Sequence, residues 1–148
     1  MTPTQVIQAM ADKGLTNFNY HGNAMAVTKK GLVAADLTDA GYKLIADMVA
    51  NFSIVPIGFL VVINTDAVGG VTTLRLSTTD ATPVDIATFA VADLTAGSKH
   101  VPETANVTLG AGFLAAGNPG RGIVLRKVGS AASGTFTLDI TVLFTLKG

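Results

Sequence analysis

The chain has 148 residues, a length suited to one domain, and no cysteine, which excludes disulfides and thiolate metal sites. Ten basic residues cancel ten acidic ones, and 14% of residues are charged against a norm of about 25%; nucleic acid, which calls for a basic stripe, is excluded as a partner. An apolar fraction of 49% and a mean hydropathy of +0.50 leave little charge to cover the outside, which points to permanent contacts that hide part of it.

The first predicted element is a helix over residues 2–13. Thr2 suits the N-cap, Pro3 the first helical position and Gln5 the far side of a capping box. Val6, Ile7 and Met10 share a face, and Gly14 is placed to end the helix. Phe18 and Tyr20 alternate with polar residues and predict a short extended piece. Met25-Ala26-Val27 and Leu32-Val33-Ala34 flank Thr28-Lys29-Lys30-Gly31 and read as a small hairpin, with Lys29 and Lys30 on a solvated turn. A second short helix is expected from Thr38 to about Asn51, with Leu44, Ile45, Met48 and Val49 on one face. Residues 1–52 thus read as an N-terminal arm with two short helices. Its Met10, Phe18, Tyr20, Met25, Lys29, Lys30 and Met48 are candidate interface residues.

From residue 53 the period changes to two. Ile57, Phe59, Val61 and Ile63 alternate with Gly58, Leu60 and Val62, so a strand buried on both faces is expected. The apolar run Ile54 to Ile63, interrupted by Pro56, is far short of the about 20 residues that span a bilayer, so no membrane partner is expected. Further strands are predicted over 71–79 and 84–91, the second with a bulge near Ala87–Thr88, and one or two short strands over 101–109. A glycine-rich turn follows over 110–122, then a strand over 123–128 and a small-residue turn over 129–134. In the last strand Phe136, Leu138, Ile140, Val142, Phe144 and Leu146 share one face; Leu143 alone breaks the pattern on the other. The expected fold is mainly β, an antiparallel sandwich or jelly roll over 53–148 preceded by the arm.

Catalytic and metal chemistry find no foothold. His21 and His100 stand far apart, no serine lies in a Gly-x-Ser-x-Gly elbow, and the carboxylates are scattered. Gly112 and Gly117 have phosphate-loop spacing, but Asn118-Pro119 replace the Lys-Ser/Thr that it requires. No enzyme, no metal and no cofactor are expected.

Residues 71–146 resemble the capsid decoration (cement) proteins of tailed bacteriophages. The resemblance lies in Thr72-Thr73-Leu74-Arg75-Leu76-Ser77-Thr78-Thr79, the glycine-rich loop, Arg121-Gly122-Ile123-Val124-Leu125 and Gly134-Thr135-Phe136-Thr137-Leu138-Asp139-Ile140-Thr141-Val142. It implies a homo-oligomeric virion protein, made in the host cytoplasm, that sits on the outer capsid surface, binds the major capsid protein and stabilises the shell. It implies no catalytic residues. The alternative is a receptor- or carbohydrate-binding module whose loops 64–70, 93–100 and 110–122 form a ligand face at one end.

Overall fold

The structure, a computed structural model, describes residues 18–21, 24–48, 51–90, 94–97, 99–100 and 107–148, with the backbone alone for 18–21 and 99–100. In chain order these form β1 (Phe18–His21), β2 (Ala24–Leu32), a 3-10 turn (Ala34–Asp36), β3 (Tyr42–Ile45), β4 (Ser53–Asn64), β5 (Gly69–Thr78), β6 (Asp85–Ala90), β7 (Lys99–His100), β8 (Val107–Leu109), β9 (Ile123–Ser133) and β10 (Thr137–Lys147). Two antiparallel five-stranded sheets result: sheet A in the order β1-β2-β10-β4-β7 and sheet B in the order β3-β9-β5-β6-β8. They pack face to face as a β-sandwich.

The core forms where the period-two faces meet. β10 turns Leu138, Ile140, Val142 and Phe144 inward, β4 adds Phe59, Val61 and Ile63, and sheet B answers with Leu74, Leu76, Phe89 and Leu125. Each such side chain contributes roughly 1.5–3 kcal/mol when fully buried. Phe59 of sheet A meets Phe89 of sheet B edge to face at 5.3 Å, and Phe113 from the glycine-rich segment reaches the same Phe59 ring at 5.9 Å.

Several expectations are corrected, for one recurring reason: bulges. The helix expected after Thr38 is instead the strand β3. Its register with β9 slips between Lys43 and Ile45, so Leu44 and Ile45 are consecutive and both buried, a spacing that imitates a helical face. Where a hairpin was expected over Met25 to Ala34, the chain runs as one continuous strand to Leu32, with Ala34 opening the 3-10 turn. The register of this strand with β10 slips across Lys30–Gly31, where Gly31 takes φ +72° and its amide donates to Asp139 Oδ1 at 2.9 Å. Lys29 and Lys30 therefore lie in a strand, not on a turn. The small-residue stretch 129–134 is mostly strand: β9 runs to Ser133, and the chain reverses at Gly134, with φ +106°. The bulge in β6 falls at Ile86–Ala87, one residue earlier than expected.

The boundary at residue 52 does not separate two units among the described residues. β2 pairs with β10, β3 pairs with β9, and Met25, Val27, Leu32, Leu44 and Ile45 belong to the common core. The helix expected over residues 2–13, with Met10, lies outside the described residues. Among those described, no helix is long and apolar enough to cross a membrane.

Candidate functional site

Two features of the surface are candidates: a small cavity at one end and the outer face of sheet A. The cavity, about 210 Å³, opens between the sheets beneath the glycine-rich segment. Ile54, Pro56, Val84, Ile86 and Ile123 form its apolar walls, and Thr78, Asp80, Asn118 and Arg121 its polar part. The segment is held there because its amides take up carbonyls that β4 leaves open. Leu114 N donates to Pro56 O at 3.0 Å, Gly117 N to Ile54 O at 3.0 Å and Gly120 N to Phe52 O at 2.9 Å. This lining covers a sheet edge that would otherwise invite pairing.

The polar groups beside the cavity are engaged with one another. Asn118 Nδ2 donates to Asp80 Oδ1 at 2.8 Å, and Gly122 N to Asp47 Oδ1 at 3.0 Å and Thr79 Oγ1 at 2.8 Å. The Thr79 hydroxyl donates to Asp47. Arg121 lies between the two acids, with Nε 3.6 Å from Asp80 and Nη1 3.8 Å from Asp47. The Thr79 hydroxyl, aided by the Gly122 amide, holds the Asp47 carboxyl below the usual range against the cost of burial. At Asp80 burial pushes upward most strongly, but the Asn118 and Thr78 donors together with Arg121 outweigh it, and its carboxyl too is lowered. Both acids are set as permanent anions that accept hydrogen bonds, the reverse of the raised value a general acid needs near neutrality. Among the described residues no group of three or more His, Asp or Glu could hold a metal ion.

The outer face of sheet A is of another kind. Alternation leaves Thr28 of β2, Asp139, Thr141 and Leu143 of β10, and Leu60 and Val62 of β4 on the outside, whereas Ala26 of β2 is buried. The central strand contributes Leu143, 38% exposed, and Thr141, whose hydroxyl meets that of Thr28 at 2.9 Å. The sequence led one to expect the second apolar side of β4 to be buried as well; among the described residues Leu60 and Val62 are instead half-buried. Every ion pair among the described residues lies on sheet B or its connecting loops.

Of the interface residues expected from the sequence, those with described side chains, Met25, Lys29, Lys30 and Met48, stand in different surroundings. Met25 is 3% exposed and belongs to the core, so it is removed from any interface. Met48 is partly buried against the same core, and its amide donates to Gly120 O at 2.9 Å. Lys29 stands over the Tyr42 ring, 5.4 Å from its centre, bridging the sheets; contact with Tyr42 raises its ammonium above the ordinary value. Lys30 is exposed at the bulge. Phe18 and Tyr20 pair through their backbones with Val27 and Met25. His21 and His100 lie in β1 and β7, the opposite edge strands of sheet A. The three loops proposed as one ligand face do not converge either. Val68 N donates to Leu94 O and Gly97 N to Ile63 O at one end of β4, whereas 110–122 lines the other.

The sequence reading missed the Asp47–Thr79–Asp80–Asn118–Arg121 cluster, whose members come from three distant segments and carry no common spacing. It also missed the half-open apolar face, although Leu143, the residue that broke the alternation, was its signal.

No protein-family model matches the chain, and no curated protein matches it. A solved structure titled "CBM4 structure and function" is similar at a TM-score of 0.30 and 8% identity, over 89% of this chain and 88% of that one. A likeness so slight says nothing about what this chain binds.

Proposed function

We propose that the chain is a structural protein of a tailed-phage head, which decorates the shell by laying the outer face of sheet A against the major capsid protein, with further copies alongside. The observation that carries this reading is the half-open apolar face itself, free of ion pairs. Three adjacent strands present Thr28, Leu60, Val62, Thr141 and Leu143 with no ion pair among them, beside Asp139, whose carboxylate accepts from Gly31 N, while the ion pairs gather on the opposite sheet. Leu and Val left half-open in the middle of a sheet are stabilised by cover from a partner. The strand order supports the jelly-roll form of the fold: β2-β10-β4-β7 faces β3-β9-β5-β6, the eight-stranded double-sheet arrangement that capsid proteins and lectins share, with β1 and β8 as additions. Because one fold serves both classes, the weight rests on the face and not on the topology.

The test is binding to heads of the virus that encodes the chain. Labelled protein is expected to co-sediment with mature heads, to saturate at a fixed number of copies per shell and to raise the temperature at which heads rupture. Leu143→Lys is expected to abolish both effects while leaving the circular dichroism spectrum unchanged. Failure of the wild-type protein to sediment with heads contradicts the reading. The carbohydrate-binding alternative rests on the cavity beside Asp80, Asn118 and Arg121; binding on a glycan array that is lost in Arg121→Ala would favour it.

A further inference from the structure

The outward side of sheet B carries a built but under-neutralised pair of arginines. Arg75 of β5 and Arg126 of β9 are direct cross-strand partners. Two like charges in that position repel. A single carboxylate serves both: Asp85 Oδ2 accepts from Arg75 Nη1 at 2.9 Å, and Asp85 Oδ1 lies 3.4 Å from Arg126 Nη2. Ser77 ties the group together, its hydroxyl accepting from Arg126 Nη2 at 2.9 Å and donating to Asp85 Oδ1 at 2.7 Å. The Nε–H groups of Arg75 and Arg126 are buried without a hydrogen-bond partner. Unpaired donors on charged groups are costly, so this arrangement is incomplete by itself. The side chains nonetheless remain open to solvent, Arg75 at 39% and Arg126 at 25%.

We propose that Arg75 and Arg126 form a docking point for one further carboxylate, supplied by an acidic side chain of a protein partner. Two guanidiniums against one carboxylate leave one positive charge, which a monoanion balances. A guanidinium edge that offers Nε–H together with a terminal N–H matches the two oxygens of a carboxylate, and a turn of the half-open Arg75 side chain presents that edge. A phosphate backbone is the poorer fit, since it calls for a stripe of charge rather than one surplus unit. The site stands on the opposite sheet from the outer face of sheet A and does not depend on how that face is used.

The experiment follows the arginine Nε–H signals of the full chain by ¹⁵N NMR during titration with sodium acetate, with sodium chloride at matched ionic strength as reference. Both signals are expected to move saturably with acetate and not with chloride. An acetylated and amidated Gly-Glu-Gly peptide is expected to move the same two signals. Arg75→Lys, which keeps the charge and loses the fork, is expected to weaken acetate binding roughly tenfold, as loss of a charge-assisted contact implies. Arg75→Gln, read at the Arg126 signal, repeats the test with the charge removed. Shifts that match those of chloride, or saturable binding that survives in both variants, overturn the proposal. Acetate binding without peptide binding overturns the protein source, and phosphate binding much tighter than acetate overturns the carboxylate assignment.

Discussion

At Gly122 an added methyl carbon would sit 1.9 Å from the Ile45 carbonyl oxygen and 2.8 Å from the Ala46 carbonyl carbon. Neither is the end of a flexible side chain, so Gly122→Ala forces the β3 exit away from the β9 entrance. It is expected to lower stability by about 1–3 kcal/mol in urea unfolding, the usual cost of overpacking. Gly117→Ala, whose new carbon meets only Ile54 O at 3.6 Å, is expected to stay within about 0.5 kcal/mol of wild type. The same corner sets an acid limit. The carboxyls of Asp47 and Asp80 are lowered on folding, so the stability they contribute is present above the ordinary carboxylate value of 3.8 and is lost as pH falls through their lower folded values. Thermal unfolding between pH 7 and 2 is expected to show a fall in melting temperature beginning below about pH 4, and Asp47→Asn is expected to make that fall shallower.

Among elements, β10 was legible from its own residues, because five alternating apolar positions, continued from Phe136 just before the strand, admit no helical reading and one buried face explains them. β3 was not, because its bulge brings Leu44 and Ile45 together as a helix would. β9 was read too short. Gly129 and the small residues after it look like a turn, yet they let the backbone of β5 come close; a side-chain carbon on Gly70 would lie 2.1 Å from Ala131 O. Periodicity is a local signal, and a bulge is decided by the partner strand, so these errors have one origin. Of the candidate site, the apolar second side of β4 was visible, but its openness depends on which strands flank it. Besides its amide bonds to β4, the glycine-rich segment is anchored by Phe113 against Phe59. Phe113→Ala is expected to speed hydrogen exchange at the Leu114 and Gly117 amides while β10 amides keep their protection. Phe59→Ala, which empties the centre between both sheets, is expected to cost about 3–5 kcal/mol and to speed exchange throughout.

For the whole molecule, the distribution of charge matters more than its sum. Ten positive and ten negative residues cancel, but the described ion pairs collect on sheet B and its loops, while the outer face of sheet A sets half-open Leu60, Val62 and Leu143 beside Asp139, the cross-strand partner of Val62. A protein that stays free in solution usually spreads mixed charge over such a face. Lysine at Leu60 or Leu143 changes only outward positions of a sheet whose inner face is untouched, so the melting temperature of either variant is expected to stay within a few degrees of wild type while attachment is lost. The most direct measurement is the orientation of the protein on decorated heads by electron cryomicroscopy. Leu60, Val62 and Leu143 are expected against the shell or a neighbouring copy, with Arg75 and Arg126 on another side. A reconstruction with the outer face of sheet A turned to open solvent would contradict the reading.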